Sequence, residues 1–389
     1  MILQDIIYIT LVFLIGYNYI FYPIILFVFS KIINWKINLK EIEPEITFVI
    51  SAHNEEELIE GAINSILNSN YPKNKIKIIV GSDGSTDKTN EILKNIKNIQ
   101  PNILNYYIYN RLGKNKVLNE LIDKVTTDIV FFMDADCRIS ENSIKEIIKN
   151  FSDESVGGVI ASQKIESKNT EDNSGKIGDN LYHKYEEFIR ITESRIHSNV
   201  NSLGYLYAVR KNLLSKIPND NVCDDLFNIY TILSKNKRVT FEKNAKAKEI
   251  RSKSLQNESH RRVRAVAGGI ATVIYFKKLF NIFKYGWISF FIFSHKVFRW
   301  LSPFFIVFLA LFTIIFWKKG ELWDYIFYIQ LIFYLMVLIG WISEKKGVNL
   351  KIFKIFLFFI SMNYSSIMGT IRYLKGQQNA IWDRIGFNE

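Results

Sequence analysis

The stretch Ile129-Val-Phe-Phe-Met-Asp-Ala-Asp136 governs the reading of this chain. Five apolar residues, mostly β-branched or aromatic, have the length and composition of a strand buried on both faces. Two carboxylates at alternate positions follow where that strand must end. Upstream, Lys114 to Val125 has helical periodicity and Asn105 to Tyr109 reads as a strand. Further back, Asp87 to Ile99 is helical, Ile76 to Val80 is a strand, Glu56 to Leu67 is a helix and Ile46 to Ile50 is a strand. Strand and helix in alternation predict an α/β domain with a mostly parallel sheet covered on both faces. In such sheets ligands bind at the carboxyl ends of the strands, which is where the polar motifs fall.

Each motif can be weighed by its chemistry. Ser51-Ala-His-Asn-Glu-Glu-Glu57 follows the first strand. Alone it reads as a helix cap with first-turn carboxylates. Gly81-Ser-Asp-Gly-Ser-Thr-Asp87 follows the second strand. There Asp83 can accept a hydrogen bond from a base or ribose, Asp87 can cap the next helix, and a plain turn fits equally well. Arg111-Leu-Gly-Lys114 brings cations to a helix N-terminus, a setting that suits phosphate as well as a solvated loop. Asp134 and Asp136 are the stronger signal. Two acids this close are costly to bury unless a cation neutralises them, and carboxylate oxygens suit a hard divalent ion. Asn201 to Lys211 reads as a glycine turn and strand, and Cys223-Asp-Asp-Leu226 opens a helix. Asp224 or Asp225 could be a first-turn acid or the base that deprotonates an acceptor hydroxyl. His260-Arg-Arg-Val-Arg264 is either a juxtamembrane basic stretch or a clamp on a departing diphosphate.

The apolar residues gather at the two ends of the chain. Ile6 to Phe29 is long enough to cross a hydrocarbon layer of about 30 Å. Asp5 before it, and Lys31, Lys36 and Lys40 after it, put the following domain on the cytoplasmic side. Leu301 to Trp317, Trp323 to Trp341 and Ile352 to Ile371 are three further candidate spans, and Val273 to Trp300 reads as an amphipathic helix in the interface. Three spans after a cytoplasmic domain carry the tail outside, whereas Arg372, Lys375 and Arg384 favour inside. One of the last segments is therefore expected to be re-entrant or interfacial.

The chain carries 50 Lys and Arg against 38 Asp and Glu. These cations are spread through helices and membrane flanks rather than interleaved with aromatics on one face, which argues against a nucleic-acid partner. Cys137 and Cys223 form no disulfide or zinc pattern and are assigned no role; His183 and His197 are read as structural.

Taken in order, these motifs resemble the family 2 glycosyltransferases of the GT-A fold, in particular the membrane synthases of cellulose, chitin, hyaluronan and poly-N-acetylglucosamine. The resemblance implies an inverting hexosyltransferase with Mg2+ or Mn2+ as cofactor. His53, Glu55 and Asp83 would lie at the nucleotide, while Lys114 and Asp134 would hold the nucleotide-sugar. Asp136, with Asp134, would bind the metal. Asp225 would be the general base, and Arg261, Arg262 and Arg264 would meet the diphosphate. Four departures stand out: Ser51 replaces a proline, Ser82 an aspartate, Arg261 a glutamine and Ala265 a tryptophan. The last two bear on processive polymerisation more than on sugar transfer.

The expected layout is an anchor over 1–40, a cytoplasmic GT-A domain over 41–255, a basic motif with an interface helix over 256–300, and a transmembrane region with its tail over 301–389. The expected reaction moves sugar, from a UDP-sugar first among the candidate donors, to a growing polysaccharide or glycan at the plasma membrane. Membrane lipids and export proteins are its further expected partners. One alternative is a single transfer to a lipid-linked acceptor. A catalytically silent scaffold of an export complex is the other, and the intact set Asp83, Asp134, Asp136 and Asp225 argues against it.

Overall fold

The computed structural model describes residues 2–377 apart from 168–175, 203, 252–254, 318–319 and 349. Most of the tail motif from Gly376 to Arg384 therefore lies outside the described residues. One eight-stranded mixed sheet runs through the middle of the chain. Its strands are β1 (Ile46–Ala52), β2 (Ile76–Asp83), β3 (Leu104–Tyr109), β4 (Ile129–Met133), β5 (Cys137–Ile139), β6 (Val156–Ser167), β7 (Leu206–Arg210) and β8 (Arg238–Arg251).

The expected α/β half is present, in the order β3-β2-β1-β4 and parallel throughout. Its helices, Ile59–Leu67, Thr89–Ile99 and Lys114–Lys124, fall within three residues of the sequence boundaries. Residues Ile59, Ala62, Ile63 and Ile66 are buried at the spacing that an amphipathic helix dictates. Both faces of β4 are covered: Phe131 stacks on Phe48 with centroids 4.6 Å apart, and Phe132 stacks on Tyr207 at 4.9 Å.

Beyond β4 the sheet stops being parallel, so the expectation of a mostly parallel sheet holds for this half only. β7 runs antiparallel to β4, β6 antiparallel to β7, β8 parallel to β6, and the short β5 antiparallel to β8. The pairing of Cys137 with Glu249 brings the end of the Asp134–Asp136 turn against β8. β7 is the strand expected within Asn201 to Lys211, whereas β5, β6, β8 and the long helix Lys176–Ile196 escape local pattern reading, because long-range pairing rather than period defines them.

Among the described residues four helices are long and apolar enough to cross a membrane: Leu3–Ile32, Trp287–Phe316, Trp323–Lys345 and Lys351–Leu374. The interface helix expected over 273–300 is not a single element. Leu255–Tyr275 is one helix, short turns follow, and the continuous helical stretch from Trp287 already carries the residues expected to lie in the interface. Gly286, at φ 50°, separates the two. The helices are stitched by polar contacts. Trp323 Nε1 donates to Asp5 at 3.2 Å and Gln330 Nε2 to Thr313 at 2.7 Å.

Candidate active site

The parallel strands deliver their ends to one place. At the end of β2 the Asp83 carboxylate accepts the backbone N–H of Leu112 at 2.5 Å and of Gly113 at 2.9 Å, with Arg111 Nη1 at 3.4 Å. Its own carbonyl accepts from His53 Nδ1 at 2.7 Å. His53, Asp83 and the 111–113 loop are thus a single hydrogen-bonded unit. Arg111 and Gly113 both take positive φ, 48° and 91°, so the loop adopts a geometry that its anchoring must hold. Glu55 belongs to the same neighbourhood through its backbone N–H, which donates to Thr89 Oγ1 at 2.8 Å. Asp87 accepts the N–H of Thr89 and of Glu56, which is the capping role open to it.

The loop leads into the helix that begins at Lys114. Lys114 Nζ reaches Asp134 at 3.0 Å and Asp224 at 3.2 Å, linking the β4 motif to the helix Asp224–Ser234. Burial alone lowers the lysine's pKa, but the carboxylates of Asp134 and Asp224 outweigh it and raise the net value. Burial raises Asp134 despite Lys114. Asp136 is pushed well above the usual carboxylate range by burial, then by Glu249 and Asp134. Asp225 is pushed up to about 6, by burial first and by Asp224 second, with Lys114 among the groups that oppose the rise.

Gly204 explains how two of these acids meet. At φ 79° it lies where a Cβ would fall 3.4 Å from Asp225 Oδ2 and 3.9 Å from Asp134 Oδ2. A glycine leaves that space open, and both carboxylates border it.

Asp134 and Asp225 line a cavity of about 380 Å³ whose other wall is built from the Leu255–Tyr275 and Trp287–Phe316 helices. Arg261, Arg262 and Arg264 all line it. Arg261 donates to Glu249 at 2.6 Å, and Arg262 stacks over Phe358 with its centre 4.9 Å from the ring. Burial lowers the Arg264 pKa, yet a guanidinium stays charged at neutral pH. Ser365 and Ser366 bring the last helix into the same lining. The cavity also contains residues to which the sequence reading gave no site role: Asn201, His295, Lys296 and Arg299. Three charged or titratable side chains inside an otherwise apolar helix were the available signal.

A divalent metal fits the donor set. Asp136 Oδ1 is buried and has no hydrogen-bond partner, and the adjacent carboxylates repel one another. Among the described residues no group of three His, Cys, Asp or Glu is placed to hold an ion unaided. That suits an ion held by one or two carboxylates and completed by substrate phosphates. The cysteines have a bland role: burial pushes the Cys223 thiol up to about 12 and raises Cys137, so both stay protonated at neutral pH.

Residues 47–213 match the family model described as glycosyl transferase family 2. This region is similar to the family 2 glycosyl transferases. Among curated proteins, poly-beta-1,6-N-acetyl-D-glucosamine synthase of Staphylococcus aureus is 32% identical over 168 residues, which are 39% of this chain and 40% of that protein. The chain thus matches about two fifths of the synthase's length. The probable glycosyltransferase YdaM of Bacillus subtilis is 28% identical over 142 residues, 34% of this chain and 32% of that one. The mannosyltransferase PcManGT from Pyrobaculum calidifontis, solved in complex with GDP-Man and Mn2+, superposes with a TM-score of 0.73 at 16% identity. It covers 96% of this chain and 99% of its own, so the shared GT-A architecture takes in the flanking helices along with the family 2 domain.

Proposed function

We propose that this chain is a membrane-bound glycosyltransferase that moves a sugar, with inversion, from a nucleotide-sugar to a growing polysaccharide or glycan. The observation that carries this reading is the convergence of Asp134 and Asp225 on Gly204. One acid belongs to the pair suited to a metal and diphosphate, and the other is positioned to accept a proton. The family 2 domain and the similarity to a polysaccharide synthase support the reaction class and the acceptor class.

In this reading the base and ribose lie by His53, Glu55 and Asp83, and Lys114 with Asp134 grips the donor. Asp136, together with Asp134, holds Mg2+ or Mn2+, which when bound neutralises charge on the departing diphosphate. Asp225 takes the proton of the acceptor hydroxyl as its oxygen bonds to the anomeric carbon from the face opposite the diphosphate. The bond from the anomeric carbon to the diphosphate oxygen breaks. Arg261, Arg262 and Arg264 then stabilise the nucleoside diphosphate with fixed positive charge. A neutral Asp136 would be a poor metal ligand, and a bound cation supplies the charge that keeps it ionised.

The same reading divides the chain into an anchor over 1–40, a catalytic domain over 41–255 on the cytoplasmic side, a basic segment over 256–300, and a membrane region from 301 onward. The membrane is taken as the plasma membrane, with lipids and export proteins as partners.

The test is nucleoside diphosphate release by purified protein across a panel of nucleotide-sugars, with Mn2+ or Mg2+, against Asp136→Ala. Metal-dependent release from one donor, lost in the variant, establishes the transferase and names the sugar. No release from any donor, with lipids and glycans present, would count against it.

A further inference from the structure

Strand β8 carries an acid that belongs to none of the sequence motifs. Glu249 stands opposite Cys137 in the β5–β8 pairing, and the N–H of Ile250 donates to the Asp136 carbonyl at 3.0 Å. The backbone therefore fixes Glu249 beside the Asp134–Asp136 turn. Its side chain is only 4% exposed, and its charge reaches the neighbouring acids. After burial, Glu249 raises the Asp136 carboxyl more than Asp134 does, while Arg261 opposes the rise. A third buried carboxylate beside two others is costly without a counter-charge.

Two side chains converge on this acid. Arg261 Nη2 donates to Glu249 Oε1 at 2.6 Å, and Gln163 Nε2 donates to Oε2. Gln163 on β6 pairs with Ala247 on β8, two residues before Glu249, so Gln163 and Glu249 share one face of the sheet. Both carboxylate oxygens are thus engaged, which fixes the orientation of the Glu249 side chain. Arg261, on the Leu255–Tyr275 helix, is placed differently: its side chain is 47% exposed and lines the cavity that holds Asp134 and Asp225. The bond to Glu249 takes one of the five N–H donors of a guanidinium, so it need not break when an anion enters the cavity. A loose arginine loses rotamer freedom when it meets a ligand, whereas a tethered one has lost it on folding.

Resting on the transferase reading above, we propose that Glu249 is a positioning residue: it holds the Arg261 guanidinium in place for the diphosphate of the nucleotide-sugar. Gln163 supports it by fixing the second carboxylate oxygen. The opposite arrangement, in which Glu249 competes with the diphosphate for Arg261, makes a different prediction, because Arg261 would then contribute more once Glu249 is gone.

A double-mutant cycle separates the two. Purified full-length wild type, Arg261→Gln, Glu249→Gln and the double variant are titrated with UDP and with GDP, each in the presence of Mn2+. Loss of a charge-assisted hydrogen bond predicts that Arg261→Gln weakens binding at least about tenfold when Glu249 is present. In the Glu249→Gln background the same change should cost less than about threefold. Direct repulsion between Glu249 and the diphosphate is common to both members of each pair and cancels. Arg261→Gln keeps an amide donor for Glu249, and thermal melting of each variant separates lost contact from lost fold. If Glu249→Gln does not fold, Glu249→Asp replaces it in the cycle: it keeps the charge and withdraws the oxygens by one methylene, and the same drop in the cost of Arg261→Gln is expected. Equal costs in the two backgrounds, or a larger cost without Glu249, overturn the assignment, as does a wild type that binds neither nucleotide. Nucleoside diphosphate release from the nucleotide-sugar panel is measured in parallel. Coupling with no release from any donor sinks the transferase reading and leaves Glu249 positioning Arg261 at a nucleotide site, whereas release without coupling does the reverse.

Discussion

The Asp83 carboxylate accepts the backbone N–H of Gly113 at 2.9 Å, fixing the loop in front of Lys114 to the end of β2. In the proposed function this acid shapes the donor pocket through the backbone as well as by its own charge. Asp83→Ala leaves the N–H groups of Leu112 and Gly113 without their acceptor, a loss of about 1–3 kcal/mol. The expected result is a lower melting temperature together with roughly tenfold weaker nucleotide binding, since that loss is about one factor of ten or more. Calorimetry with the nucleoside diphosphate checks both; unchanged affinity would show that the loop needs no anchor.

A base with a pKa of about 6 predicts the shape of the pH profile. If Asp225 is the base, as proposed, only its ionised form accepts a proton, so turnover should climb as pH rises through about 6 and level off above it. Asp225→Asn should cost about 10²–10⁴ in rate while sparing donor binding. Lys114 favours the ionised form, so Lys114→Met should move the rising limb to higher pH. A limb that stays in place in Lys114→Met would detach it from Asp225.

The ion pairs on Glu186 join the helix Lys176–Ile196 to the long apolar helix that carries Arg299. Arg299, with His295, holds the Glu186 carboxyl well below its usual range, although burial opposes this. Glu186→Gln leaves Arg299 and Arg190 buried without their counter-charge, which costs about 3–5 kcal/mol. Thermal unfolding of the purified protein should show the loss. A variant as stable as wild type would mean that the network is solvated.

Gly369 lets the Lys351–Leu374 helix touch the helix that carries the arginines. A Cβ there would stand 2.6 Å from Val266 Cβ and 2.9 Å from the carbonyl of Val263, neither of which is a flexible side-chain end. Gly369→Val must therefore push the two helices apart, at about 1–3 kcal/mol. Turnover should fall while nucleotide binding by the catalytic domain persists, as steady-state kinetics and calorimetry would reveal. Full activity in the variant would show that the arginines need no support from that side.

By itself the sequence determined the parallel half of the fold and the order of the motifs. From Ile46 to Met133 each element is set by local period and by its own turn residues, and strand ends are where such sheets expose polar groups. It also marked the apolar termini, because length and composition suffice to define a candidate span. Only the tertiary structure decided what those motifs touch. Asp134 and Asp225 are far apart in the chain and meet because β7, antiparallel to β4, returns the Gly204 turn beside them. The pairing of the antiparallel half of the sheet, the start of the second long apolar helix at Trp287, and the cations Lys296 and Arg299 inside the cavity share that origin. Each depends on contacts between residues a hundred or so positions apart, such as Glu186 with Arg299, and no local pattern encodes a partner at that distance.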